Sequence, residues 1–145
     1  MPVTMQICRK LGISRKLYTF SIPLGCTINM DGAAIQFSIV TLFMAKVFGI
    51  DLDFNVLISL GITILLLSIA APGVPGAGLV SCIIAFASIG IPAEAISLVL
   101  GINIIMECFS TANNVIGDVG CTLLVAKSEN YFDKDEYNSN KELTK

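Results

Sequence analysis

The chain has 145 residues, of which 54% are hydrophobic and 14% charged, with a mean hydropathy of +0.81 and a net charge of −2. Soluble domains run at about 45–50% apolar and about 25% charged residues, so a soluble enzyme or nucleic-acid binder is excluded and the chain reads as an all-α integral membrane protein. It contains no histidine, which removes His-based catalysis, a His-ligated transition-metal site and a neutral-pH histidine switch.

Residues 1–16 hold Arg9, Lys10, Arg15 and Lys16 and no acid, and read as a cytoplasmic basic segment. Met1–Gln6 is too short and mixed for a signal peptide, so the start reads as the interior of a longer protein. Residues 17–50 follow as the first apolar block, in which Leu17–Ala45 carries Asp31 as its sole charge. Pro23 and Gly25 interrupt it early, and Asn29-Met30-Asp31-Gly32 sits at its middle. Asn, Asp and Gly favour caps and turns over helix interiors. A carboxylate at mid-bilayer costs a few kcal/mol even on lenient insertion scales. A broken transmembrane helix with Asp31 at the break is therefore predicted; unwound backbone of this kind is where carriers bind ions.

Residues 54–93 form a second block without a charge. Its centre, Ala71-Pro72-Gly73-Val74-Pro75-Gly76-Ala77-Gly78, cannot continue a helix. Acids flank both ends, Asp51 and Asp53 before and Glu94 after, so the two arms read as a re-entrant hairpin entering and leaving on one side. An ordinary loop between two spans is the alternative. Irregular backbone at membrane depth persists only where protein or a water-filled cavity surrounds it.

Residues 95–126 read as one long transmembrane helix. Asn103, Glu107, Ser110, Asn114 and Asp118 fall at about 0°, 40°, 340°, 20° and 60° around it, with Thr111 at about 80°, using 100° per residue. The opposite face is aliphatic. Helix–helix hydrogen bonding is the structural alternative, but it needs one or two polar residues rather than five. A face that binds a polar ligand or a cation is the expectation. Residues 127–145 are a polar, mixed-charge tail expected to be disordered and cytoplasmic. Basic residues before the first block and after the third put both termini inside, so the first and third blocks span and the middle one re-enters. The five cysteines (Cys8, Cys26, Cys82, Cys108 and Cys121) include no CxxC and read as small packing residues in a reduced compartment.

The run Pro23-Leu24-Gly25-Cys26-Thr27-Ile28-Asn29-Met30-Asp31-Gly32, the tip Gly73–Gly78 and the stretch Thr111…Asn114…Gly117-Asp118 resemble the dicarboxylate/amino acid:cation symporters, the glutamate-transporter family. The resemblance runs from Pro2 to about Glu129. It implies helix seven, the second re-entrant hairpin and helix eight of an elevator-type carrier in the plasma membrane. It also implies a homotrimer, lipid around it, and an N-terminal scaffold absent from this chain. Sodium is the implied coupling ion, with no other cofactor, no enzymatic activity and no nucleic-acid partner. One implied sodium site joins Asp118 to carbonyls of Gly25, Asn29 and Asn114, with Asn29 and Asp31 in the sodium motif. A second joins carbonyls of Thr27, Ser68, Ile69 and Ala71. For the substrate, the resemblance implies Asn114 at an α-carboxylate, backbone amides of Val74, Ala77 and Gly78 as a gate, and Glu107, Ser110 and Thr111 in the pocket.

Acidic-substrate members of that family carry arginine where this chain has Ser110, and aspartate where it has Glu107 and Asn103. Their threonine after the NMDG run is Ala33 here. Without a guanidinium, the group best suited to a second carboxylate is gone, and a small non-acidic amino acid is the expected substrate. An acidic amino acid or dicarboxylate carrier, sodium- or proton-coupled, is the alternative. An intramembrane aspartyl protease using Asp31 and Asp118 leaves the hairpin and the stripe unexplained. A channel subunit with Gly73–Gly78 as filter is the remaining reading.

Overall fold

The structure, a computed structural model, describes residues 1–70, 74 and 76–142. The regular elements among them are helical. They are α1 (Pro2–Lys10), α2 (Arg15–Ile28), α3 (Asp31–Val47), α4 (Phe54–Ala70), α5 (Ala77–Ser88), a 3-10 turn (Ala93–Ile96), α6 (Ser97–Ser128) and α7 (Lys134–Glu142). By length and composition, Arg15–Val47 and Ala93–Ser128 are long and apolar enough to cross a membrane, whereas α4 and α5 are shorter apolar helices.

The first apolar block differs from its sequence reading in one respect. Pro23 and Gly25 lie inside α2 and do not interrupt it. An interior proline removes one helical N–H and bends a helix more often than it ends one, and membrane helices tolerate it where surrounding groups satisfy the freed carbonyl. The interruption falls at Asn29, which is extended (φ −95°, ψ 91°), and Met30 (φ −118°, ψ 43°). Asp31 opens α3, and its Oδ1 accepts the Gly32 N–H at 2.8 Å. The carboxylate thereby sits at the positive end of a helix dipole.

Two compact units are present, residues 1–29 with 115–145, and residues 30–114. In the second, Ala33, Phe37, Val40 and Met44 recur at helical spacing on α3 and are buried. They meet Leu60 and Ile64 of α4 and Cys82, Ala85 and Phe86 of α5. The two arms α4 and α5 pack on each other and both pack on α3. The second arm ends at Ser88, short of the expected Ala93, because Gly90 at φ +82° and Pro92 turn the chain into the 3-10 turn. Ala71, Pro72, Gly73 and Pro75 of the tip lie outside the described residues.

In the first unit, Cys8, Ile13, Tyr18, Ile22 and Ala126 form a core. Burial pushes the Cys8 thiol above its ordinary pKa, as suits a packing residue. The stretch expected to be a disordered tail is partly ordered. Ile13 pairs with Phe132 in an antiparallel bridge. Ser14 N donates to the Tyr131 carbonyl at 2.9 Å and Asp133 N donates to the Gly12 carbonyl at 2.7 Å. Asp133 then accepts the N–H groups of Asp135 and Glu136 at 2.9 and 3.1 Å and starts α7. The physical reason is a packed pair among the three aromatics of this polar segment. Phe132 packs beneath Lys127, 5.4 Å from its ammonium, and against Tyr137. Gly12 (φ +73°) has no room for a Cβ beside the Asp133 carbonyl.

Candidate functional site

Helix α6 runs without interruption from Ser97 to Ser128. Asn103 and Asp118 are buried on it, Glu107, Ser110 and Asn114 are half-buried, and Thr111 is exposed. Its other side shows Ile105, Phe109 and Ile116 at 60–74% exposure. An apolar face this open on a 32-residue helix needs lipid or further protein against it.

Asp118 anchors the polar cluster of the first unit. Only 5% exposed, it accepts the Asn29 Nδ2–H at 3.0 Å through Oδ1 and the Cys26 Sγ–H at 3.6 Å through Oδ2. These partners are neutral, and a buried carboxylate is costly unless something offsets its charge. Gly25 makes the approach possible, since a Cβ there would meet Oδ1 and lie 2.8 Å from Cγ of Asp118. One turn further along α6, Thr122 shares a 2.9 Å hydrogen bond with Ser21. The cluster offers the carboxylate oxygens of Asp118 and, one turn on, two hydroxyl oxygens, with one negative charge among them. That chemistry suits a hard monovalent cation. Among the described residues, no three His, Cys, Asp or Glu side chains gather into a metal group.

A second cluster lies in the other unit. Gln36 Nε2 donates to Asn103 Oδ1 at 3.4 Å, and Asn103 Nδ2 donates to Glu107 Oε1 at 3.0 Å. A Cβ built on Gly78, at the start of α5, would lie 3.9 Å from that same Oε1 and 3.6 Å from the Phe37 ring. Glu107 thus faces the beginning of α5. About two turns along, Asn114 Oδ1 accepts the Gly32 N–H at 2.7 Å, and its Nδ2 lies 3.4 Å from the Met30 sulfur. Gly32 approaches so closely that a Cβ would press on the Ser110 carbonyl. Glu107 brings a carboxylate to this cluster, and Asn103 and Asn114 bring carboxamides.

Other expected site residues are placed individually. Asp31 is exposed and serves the start of α3. Thr27 is exposed, with its hydroxyl donating to the Leu24 carbonyl at 2.7 Å. Ser68 is buried and donates to the Leu65 carbonyl at 2.9 Å, whereas Ile69 is exposed. Val74 is exposed and its carbonyl accepts the Ala77 N–H at 3.2 Å; Ala77 and Gly78 are half-buried. Ala71 lies outside the described residues.

Three contacts were not anticipated from the sequence. Gln36 is 5% exposed, and a lone glutamine on an apolar helix was the available signal. Met30 and Cys26 touch Asn114 and Asp118 through sulfur, which no spacing rule reveals. Cys26 is therefore more than the packing residue it was expected to be.

Residues 1–128 match the sodium:dicarboxylate symporter family. Excitatory amino acid transporter 3 of Mus musculus is 36% identical over 128 residues, covering 88% of this chain and 24% of the relative. Excitatory amino acid transporter 5 of Homo sapiens is 37% identical over 119 residues, 81% of this chain and 21% of the relative. The excitatory amino acid transporter of Onchocerca volvulus is 35% identical over 120 residues, again 24% of its own length. The chain spans about a quarter of the length of these relatives, which are transporters by name and not enzymes.

Proposed function

Because this chain belongs to the sodium:dicarboxylate symporter family, we propose that it supplies the broken helix, hairpin and polar helix of a sodium-coupled amino-acid symporter. The carrier is an elevator-type homotrimer, multi-pass in the plasma membrane, with both termini of this segment cytoplasmic. Residues 17–50 and 95–126 span, residues 54–93 re-enter, and an N-terminal scaffold completes the fold. The observation that carries this reading is the buried Asp118 carboxylate, held by neutral Asn29 and Cys26. A cation is the missing charge.

The sodium ligands are Asp118 with Asn29 and carbonyls of Gly25 and Asn114; Asp31 belongs to the same motif. Carbonyls of Thr27, Ser68, Ile69 and Ala71 form a second set. Val74, Ala77 and Gly78 gate the substrate, and Thr111 borders the pocket. On this reading the chain by itself is an incomplete carrier. Reconstituted alone in proteoliposomes, it should give no sodium-driven uptake of any labelled amino acid, whereas the full-length carrier should. Uptake by the isolated chain sinks that expectation.

The substrate is a small non-acidic amino acid. Glu107 receives its ammonium, Asn114 its carboxylate, and Ser110 faces its side chain. Support comes from the Gln36–Asn103–Glu107 chain, in which two neutral amides lead to the carboxylate, and from the sequence of residues 17–126, which holds no arginine to meet a second one. A panel of labelled amino acids on the full-length carrier tests this. Serine and alanine should outcompete aspartate and glutamate, and Ser110→Arg with Asn103→Asp should move preference toward acidic substrates by about tenfold or more, the worth of a charged bidentate contact. A second reading, transport of an acidic amino acid or dicarboxylate with sodium or protons, is favoured by the family's own description. High-affinity aspartate uptake by the unmodified carrier would establish it instead.

A further inference from the structure

An open cavity of about 1250 Å³ lies in the first unit, where the loop between α1 and α2 meets the turn between α6 and α7. Its walls carry Arg9 from the last turn of α1, Arg15 from the first turn of α2 and Lys134 from the start of α7. Two acids also line it. Asp133 is occupied in capping α7, accepting two backbone N–H groups, and Glu136 has a partner of its own.

The start of α2 is electrostatically one-sided. Ser14, its N-cap, makes no side-chain capping bond, and the first turn holds Arg15 and Lys16 with no acid. Cations at the positive end of a helix dipole are unfavourable unless an anion joins them. Acids are the usual first-turn residues for that reason. The pairing of Gly12–Ser14 with Tyr131–Asp133 fixes the loop, so Arg9 and Arg15 border one preformed space. Tyr18 lines the same cavity, is 91% buried by its 9% exposure, and its hydroxyl takes no hydrogen bond among the described residues. A hydroxyl without a partner on a residue that lines the same cavity as two arginines is a donor waiting for an acceptor.

We propose that this cavity binds a phosphate group, held by Arg9, Arg15 and the start of α2, with the Tyr18 hydroxyl as a further donor. The fork of a guanidinium matches phosphate oxygens two at a time. The phosphate belongs either to an anionic lipid headgroup or to a free phosphate ion, and basic pockets at the cytoplasmic ends of membrane helices take headgroups of this kind. The proposal does not depend on the transported substrate.

Native mass spectrometry of the full-length protein in neutral detergent tests it, with short-chain phosphatidic acid, phosphatidylcholine and inorganic phosphate as separate additions. Phosphatidic acid should be retained as a discrete adduct, and phosphatidylcholine should not. Competition by inorganic phosphate at equal concentration identifies a free ion as the source, and a lack of competition identifies the lipid; both support a phosphate site. Arg9→Gln with Arg15→Gln should weaken retention about a hundredfold, roughly tenfold for each charged contact. Tyr18→Phe, which keeps the packing, should weaken it severalfold. Lys46→Gln, outside the cavity, should leave it unchanged, and thermal melts of all variants check folding. Retention of neither phosphate compound, or equal retention by a folded double variant, overturns the proposal.

Discussion

Asp118→Asn in the full-length carrier should reduce apparent sodium affinity by at least about a hundredfold while altering the order of substrate preference little. The carboxylate is 5% exposed and its partners are Asn29 and Cys26, so its charge is offset by whatever cation it receives. Removing one member of a buried charged pair costs about 3–5 kcal/mol, and each 1.4 kcal/mol is tenfold in affinity. Asparagine keeps the size and one acceptor oxygen but not the charge. Gly25→Ala should give a similar defect by a different route, since the new methyl would occupy the space of the Asp118 carboxylate. Sodium titrations of uptake, with each amino acid of the panel, separate an ion defect from a substrate defect. Wild-type sodium affinity in Asp118→Asn removes the ion site from this residue.

Gly32→Ala should be the most damaging of the glycine substitutions in residues 30–114. A Cβ would press on the Ser110 carbonyl, 2.9 Å from its carbon, and lie 3.0 Å from Asn114 Oδ1. These are a helix backbone and a side chain already held by the Gly32 N–H at 2.7 Å, so neither yields cheaply. Overpacking costs about 1–3 kcal/mol and the strained hydrogen bond about 1 kcal/mol more. A fall in melting temperature of the detergent-purified protein and at least a tenfold fall in uptake are expected. Gly61→Ala and Gly101→Ala, each with nothing within 4 Å of the added Cβ, should be neutral or slightly stabilising, because alanine is the better helix former. Equal melting temperatures for all three variants would show that α3 and α6 are not in the close contact described.

Membrane-type composition, the interruption near Asn29–Asp31 and the polar face of α6 were legible in the sequence because each is a local property. Charge content, caps and turn formers, and a period of 3.6 residues act over one or two helical turns. The exact interruption was not so legible: Pro23 and Gly25 are as strong a breaking signal as Asn29 and Met30, yet α2 passes through them. The order of the tail is hidden from the sequence for a related reason. Its polarity dominates the composition, and the backbone pairing of Tyr131–Asp133 with Gly12–Ser14 that secures it joins segments far apart in the chain. Only the tertiary structure decided that Asn29 meets Asp118, 89 residues away, and that Gln36 meets Asn103, 67 residues away. The same holds for Gly25 and Gly32, whose missing side chains matter only because another helix occupies that space. Hydrophobic periodicity marks which face a helix buries and is blind to what lies across from it; partner and distance are set by packing.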